Sequence, residues 1–306
     1  MKKTTRNKII LSSTLLFLLF GTKIKMDRDT SALNKRIVEF AKTNKQEDIK
    51  FVAHRGYSNM YPDNTLESIK ACSELKCIEG IECDVRLTKD NQLVLMHNDF
   101  IGLRPIYDFT YDELRSMNLK DHLIARPTIF KGYDLIEQQI LAKRYEGLKA
   151  STYTLCTLEE VLRVRDKSKT LFIDIKFTGY NDNYLLARIG ELVKNEKNII
   201  IQSFNGNKLK EMHELYPEYT YQLLVDSRSG ITNIDYMFDG YGIRFNVLDD
   251  DTIEDLTRHD KIVSLWTVDS YKDFNGLVEQ YSDYNDDIYY ITDNPDVLIY
   301  QYKKNN

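Results

Sequence analysis

A repeated alternation limits what this chain can become. From Ile49 onward, short apolar runs rich in β-branched and aromatic residues alternate with longer amphipathic stretches. The runs read as buried strands and the stretches as helices. Strands are expected at Ile49–His54, Ile78–Leu87, Leu171–Ile175, Ile199–Phe204, Thr220–Val225, Gly240–Phe245, Lys261–Val268 and Ile288–Ile291. Helices are expected at Leu66–Leu75 (Asp63 or Asn64 as N-cap), Thr157–Arg165 (Thr157 as N-cap), Tyr184–Lys194, Lys208–Leu215, Thr252–Arg258, Tyr271–Tyr281 and Asp296–Tyr302. Eight strands alternating with helices is the count of a closed α/β barrel, the (β/α)8 TIM barrel. An open doubly wound sheet is disfavoured, because no Gly-x-Gly-x-x-Gly follows the first strand.

One arm lies outside the eight. Gln92–His97 follows the turn Lys89-Asp90-Asn91 so closely that it must pair antiparallel with Ile78–Leu87. With the turn centred near Asp90-Asn91, His97 falls opposite Asp84. Residues 99–156 then break the rhythm. They are too long for a plain loop and read as a small inserted subdomain over the mouth of the barrel. The barrel spans residues 49–303, after a spacer at 23–48 and a leader at 1–22.

Chemistry-bearing residues collect at the C-terminal ends of these strands, where barrels of this kind place their sites. Glu82 and Asp84 are two apart on one strand and face the same way. Two bare carboxylates there repel unless a cation compensates them, and hard oxygen ligands suit Mg²⁺ or Ca²⁺. Asp174 is a natural third carboxylate, and Lys176 shares its face and is placed to hold a phosphate oxygen. His54 and His97, at the ends of separate strands, are able to move protons near neutral pH. Arg55 offers a planar fork for a phosphate, and Gly56 lets backbone approach a ligand closely. His122, His213 and His259 lack such a setting and read as surface residues.

Composition narrows the partners. The 306 residues carry a net charge of −5, which argues against nucleic acid, whose phosphates need a basic footprint. The leader has Lys2, Lys3, Arg6 and Lys8 before the 13-residue apolar run Ile9–Gly21. That run is short for a membrane span of ~20 residues and reads as an export signal. No Ala-x-Ala site follows it, so an uncleaved anchor is the alternative. Either way the barrel is expected outside the cytoplasm, extracellular or membrane-anchored. Cys72, Cys77, Cys83 and Cys156 show no metal-binding spacing. Cys83 points away from Glu82 and Asp84 into packing, and pairing among the other three is open.

The runs His54-Arg55-Gly56, Pro62-Asp63-Asn64-Thr65, Glu82-Cys83-Asp84-Val85 and Val94 to His97 closely resemble the glycerophosphodiester phosphodiesterases. So do Phe172-Ile173-Asp174-Ile175-Lys176, Ser203-Phe204-Asn205, Trp266-Thr267-Val268-Asp269 and Ile291-Thr292-Asp293-Asn294-Pro295, in that family's order. The resemblance covers about residues 50–300. It implies a (β/α)8 barrel with an insertion after the hairpin His. It also implies hydrolysis of a glycerophosphodiester to glycerol 3-phosphate and an alcohol. His54 and His97 would be general acid and base, Glu82, Asp84 and Asp174 would hold a divalent metal, and Arg55 and Lys176 would hold the phosphate. Asp63 and Asp174 stand where the family usually has Glu, and Asn98 where it often has Asp. Two other readings keep the same scaffold. One is phospholipase D-like action on lysophospholipid or sphingomyelin. The other is an inactive surface protein that binds glycerophosphate polymers.

Overall fold

The computed structural model describes residues 26–45, 48–124, 133–150, 152–232, 234 and 236–306. β1 (Lys50–Ala53) and β2 (Gly80–Leu87) are followed by β3 (Leu93–Leu95), which folds back on β2, and by the small pair β4 (Phe100–Ile101) and β5 (Arg104–Pro105). The rhythm resumes with β6 (Thr170–Ile175), β7 (Ile199–Ser203), β8 (Thr220–Val225), β9 (Gly240–Arg244), β10 (Ile262–Trp266) and β11 (Ile288–Thr292). Neighbours in the order β1-β2-β6-β7-β8-β9-β10-β11 pair in parallel, and β11 pairs with β1. All eight strands read from the sequence are therefore the staves of one closed barrel.

Each stave has a sequence reason. β6, Thr-Leu-Phe-Ile-Asp-Ile, is β-branched or apolar at most positions and buried on both faces, which is the pattern of a barrel strand. Residues facing the lumen from alternate positions, including Val52, Phe172, Ile200 and Ile291, form a dry inner core. The opposite faces pack against the helices in the largest apolar cluster. Truncating a fully buried ring such as Phe172 to Ala costs about 3–5 kcal/mol. The β1–β2 seam is the shortest, with only Val52↔Gly80 and Ala53↔Ile81 in register. Gly80 permits it: a Cβ there would lie 2.9 Å from the Phe172 ring and 3.1 Å from Val52.

The described helices are α1 (26–43), α2 (Leu66–Cys72), α3 (Tyr111–Ser116), α4 (Lys120–Leu123), α5 (Leu135–Ala150) and α6 (Leu158–Val164). They continue with α7 (Asp182–Val193), α8 (Gly206–Leu215), α9 (Arg228–Ile231), α10 (Asp250–Arg258), α11 (Tyr271–Gln280) and α12 (Pro295–Asn305). Thr157 caps α6 through a reciprocal bond pair with Glu160, as its sequence spacing predicts.

Four details differ from the sequence reading. First, α2 is capped by Thr65 with Ser68, not by Asp63 or Asn64, and ends at Cys72. Those two side chains are drawn into the site instead. Second, the β2–β3 register is Val85↔Leu95, Arg86↔Val94, Leu87↔Leu93. The turn is centred on Asp90, with Asn91 in the left-handed region at φ 61°. Met96, not His97, therefore lies beside Asp84, and its N–H donates to the Asp84 carbonyl at 3.1 Å. Third, the stretch expected as a spacer carries α1. Its Ile37 packs against Ile140 and Val297, and its Ala41 carbonyl accepts from Lys76 and Cys77 N–H. Fourth, His122 is not a plain surface residue: its Nδ1 lies 3.0 Å from Asn98 Nδ2.

Residues 99–156 contribute β4, β5 and α3 to α5 in their described part. Ile106, Phe109, Leu114, Leu119 and Leu123 join Val94 and Met96 in a separate small core. α5 packs back on the barrel, where buried Arg144 grips Asp296 with 3.0 and 2.6 Å hydrogen bonds. All four cysteines are buried and unpaired. The leader expected at 1–22 lies outside the described residues. Among the described residues no helix is long and apolar enough to cross a membrane.

Candidate active site

Strand register sets the first layer of the site. Asp84 on β2 is the register partner of Asp174 on β6, which in turn is level with Gln202 on β7. Glu82 lies two residues below Asp84 on the same inward face. One oxygen from each of Glu82, Asp84 and Asp174 lies within 4.8 Å of the others, and all three residues are buried. Above β1 the chain turns sharply. Arg55 and Gly56 take φ of 56° and 83° in succession. A Cβ on Gly56 would fall 2.4 Å from Ser68 Oγ, so α2 can pack here only against glycine. The turn aims the Arg55 N–H at Glu82 Oε2, 2.9 Å away.

His54, Arg55, Glu82, Asp84, His97, Asp174 and Lys176 all line one cavity of about 150 Å³. The structure thus brings together every site residue read from the sequence. His97 arrives by a different route from the one its spacing suggested. Past Leu95 the chain runs out of the ladder, and Arg86 Nε donates to the carbonyls of Met96 and His97 at 3.1 Å each. That run-out carries the imidazole to the cavity.

Both cationic side chains in the cavity are paired with carboxylates. Lys176 Nζ bridges Asp84 (2.9 Å) and Asp174. Arg55 lies 3.2 Å from both Asp63 and Asp84. Both cations, expected to meet phosphate, are held by carboxylates in this state. Burial pushes Glu82 well above the usual carboxylate range, and the Asp84 and Asp174 charges push it further. Burial likewise raises Asp174, to about 6, against the pull of Lys176. Asp63 rises to about 7 by burial, with Arg55 opposing. Asp84 goes the other way: burial is outweighed by Lys176 and Arg55, leaving it well below the usual range. Burial lowers His97 to about 4; Asp84 opposes this, and the Arg55 and Lys176 charges add to it.

Two residues of the site escaped the sequence reading. Asp293, just past β11, accepts from His54 Nδ1 at 2.7 Å and from Ser58 Oγ at 3.1 Å. This leaves His54 Nε2 toward the cavity, 3.9 Å from Glu82. Asn64 is fully buried and clamps Asp84, donating to Oδ2 at 2.8 Å and accepting from the Asp84 N–H at 3.0 Å. The Ile291-Thr292-Asp293-Asn294-Pro295 run was visible in the sequence, but nothing local joins it to His54.

The acidic group suits a hard divalent cation. Its donors are carboxylate oxygens, and Asp174 Oδ1 is buried with no hydrogen-bond partner.

Comparison with known proteins agrees with this geometry. Residues 54–296 match the Glycerophosphoryl diester phosphodiesterase family. A glycerophosphodiester phosphodiesterase of Caldanaerobacter subterraneus is 27% identical over 265 residues, covering 81% of this chain and 95% of that one. A namesake from Bacillus subtilis is 25% identical over 248 residues, covering 74% and 79%. Among solved structures, a glycerophosphodiester phosphodiesterase of Parabacteroides distasonis superposes with a TM-score of 0.62 at 25% identity, covering 86% of this chain and 99% of that one. A phosphodiesterase of Oleispira antarctica, solved with its product sn-glycerol-3-phosphate, gives 0.62 at 20% identity, covering 83% and 96%. The chain belongs to the glycerophosphoryl diester phosphodiesterase family.

Proposed function

We propose that this phosphoric diester hydrolase cleaves glycerophosphodiesters to glycerol 3-phosphate and an alcohol, with the help of a divalent cation. The observation that carries the reading is the meeting of two imidazoles, three carboxylates and two cationic side chains on one small buried cavity. The family and the product bound to the Oleispira relative support the substrate class.

Glu82, Asp84 and Asp174 would hold the cation, Mg²⁺ or Ca²⁺. Once bound, it would supply positive charge against the phosphate oxygens, where negative charge grows on attack. The remaining work falls to the chain. Arg55 and Lys176 exchange carboxylate partners for phosphate oxygens and fix the ester. Asp293 holds the His54 Nδ1 proton, so Nε2 keeps its lone pair and takes a proton from the attacking water. The bond from phosphorus to the alcohol oxygen breaks, and His97 gives that oxygen its proton. Burial is the main reason that His97 is neutral, and the Arg55 and Lys176 charges add to it; the phosphodiester anion between those two side chains offsets their part.

A panel of glycerophosphodiesters assayed with Mg²⁺ and with Ca²⁺ tests this. Glycerol 3-phosphate should appear, and chelator or His54→Ala should abolish it. Full activity in His54→Ala rules out the mechanism. The phospholipase D-like reading draws support from Phe100 and Phe204, whose rings are exposed beside the cavity. Release of the headgroup from intact lysophospholipid in the same assay would carry it. We also read residues 2–21 as an export segment, supported by the basic run and the apolar stretch after it. Recovery of the protein from the cytoplasmic fraction would count against that.

A further inference from the structure

The two imidazoles of the site differ in what stands behind them. His54 Nδ1 meets a carboxylate, Asp293 Oδ1, at 2.7 Å. His97 Nδ1 meets a neutral amide, Asn98 Oδ1, at 3.3 Å. The chain of contacts continues, because Asn98 Nδ2 lies 3.0 Å from His122 Nδ1. One side-chain amide therefore bridges the Nδ1 atoms of two rings.

An amide has an accepting end and a donating end, so the bridge imposes opposite states on those two atoms. Its oxygen requires a proton on His97 Nδ1. Its N–H requires a lone pair on His122 Nδ1, with that ring's proton on Nε2. A carboxylate at position 98 would accept on both sides and impose no such order. His122 is held firmly enough to keep the bridge in place. It lies on α4, whose Leu119 cap and Leu123 are buried in the small core with Val94 and Met96, just before His97. The Leu123 carbonyl also accepts from the Asp63 N–H at 2.5 Å.

This order decides what His97 can do. Protonated on both nitrogens, it keeps the Nδ1 proton on the Asn98 oxygen and passes the Nε2 proton to the departing alcohol oxygen. The N–H electron pair stays behind as the Nε2 lone pair. The ring ends neutral, in the tautomer that the bridge holds. A neutral partner adds no charge that would hold the Nε2 proton back, as a carboxylate does. An amide turned the other way would aim its N–H at His97 Nδ1 and exclude a proton there. The ring would then carry its one proton on Nε2, and a neutral imidazole is too weak an acid to release it near neutral pH.

We infer that His122 and Asn98 are positioning residues for the proton donor of the reaction. His122 takes the Asn98 N–H, which fixes the amide oxygen on His97 Nδ1, so that Nε2 alone exchanges protons with the cavity. This rests on the diester-hydrolase reading above and adds the groups that prepare its acid.

Two esters of glycerol 3-phosphate separate this role from a structural one. Glycerophosphoethanolamine needs a proton on its leaving oxygen, whereas the 4-nitrophenyl ester releases a phenolate unaided. His122→Phe keeps a ring and loses the acceptor. With divalent cation present, it should lower the ratio of kcat for the alkyl ester to kcat for the nitrophenyl ester about tenfold. His122→Asn returns an acceptor near the Nδ1 position and should restore most of that ratio. Nitrogen NMR of the wild-type protein near neutral pH should show His97 protonated on Nδ1 and His122 on Nε2. Should His122→Phe fail to fold, the wild-type spectrum decides alone. A ratio unmoved in folded His122→Phe, or a wild-type His97 with its one proton on Nε2, overturns this inference and spares the hydrolase reading. Turnover of neither ester by the wild-type protein overturns both.

Discussion

The inner cavity of the candidate site and an outer one of about 520 Å³ beside it share His97, Lys176 and Phe204 in their walls and are built in opposite ways. The inner one is lined from strand ends. Asp84, Asp174 and Gln202 stand level because the parallel ladder makes them register partners, and no loop conformation can change that. The outer one is lined from the run-out after β3, from β4 and from the stretches after β6 and β7, with aromatic rings exposed. The carboxylates and the lysine sit where the sheet fixes them, and the exposed rings sit where substitution is tolerated. This contrast means that changes in the two cavities should differ in size and in kind.

The largest effect should come from the inner cavity. His54→Ala and His97→Ala should each lower kcat by about 10²–10⁴-fold, with the folding midpoint barely moved. A loss confined to KM would break the division of labour. Next comes Asp293→Asn, which keeps the shape but weakens the bond to His54 Nδ1. It should cost about 10–100-fold in kcat, with the imidazole tautomer shift read by NMR.

Third is the pH dependence of stability in chelator-treated protein. Asp174 and Asp63 are raised to about 6 and about 7, so the folded state holds their protons more tightly than the unfolded chain. Their contribution is complete below about pH 4 and is lost as pH rises through 6 and 7. Asp84, lowered instead, is ionised in both states above about pH 5 and adds no slope there, while His97, lowered to about 4, adds an opposing rise that the carboxylates together outweigh. The melting temperature should fall from pH 4 to pH 7, and Mg²⁺ or Ca²⁺ should reverse the fall. A flat profile would show that the inner carboxylates already have their compensation. The smallest effect belongs to the outer cavity: Phe100→Leu should shift stability by no more than about 0.5 kcal/mol, because the ring is half exposed.

Much of this was legible in the sequence, for physical reasons that also explain the gaps. The eight staves show because a strand buried on both faces must be apolar throughout, as Leu171–Ile175 is. Glu82, Asp84, Asp174 and Lys176 show because period-two spacing on a strand decides the face. His97 was placed through a turn centre half a residue off. The three-residue turn is centred on Asp90, with Asn91 left-handed, and a slip of that size changes the partner of every residue on the arm. Asp63 and Asn64 look like helix caps, because short polar side chains before a helix usually are. Here Arg55 and Asp84 claim them, and Thr65 takes over the cap. Asp293 meets His54 across 239 residues of chain, a relation created only when β11 closes on β1. α1 reads as spacer because most of its residues are polar and exposed, and the contacts that bury Ile37 come from Ile140 and Val297, far along the chain.

The mutual pairing of Lys176 and Arg55 with Asp84, Asp63 and Asp174 has a thermodynamic corollary. A phosphate that draws the ammonium and guanidinium to itself releases carboxylate oxygens, and an ion that takes those oxygens releases the two cationic groups. On the proposed function, metal and ester would be linked ligands, each tightening the hold on the other by the same factor. Titrating Mg²⁺ with and without glycerol 3-phosphate, and the reverse, should return one coupling constant from both directions.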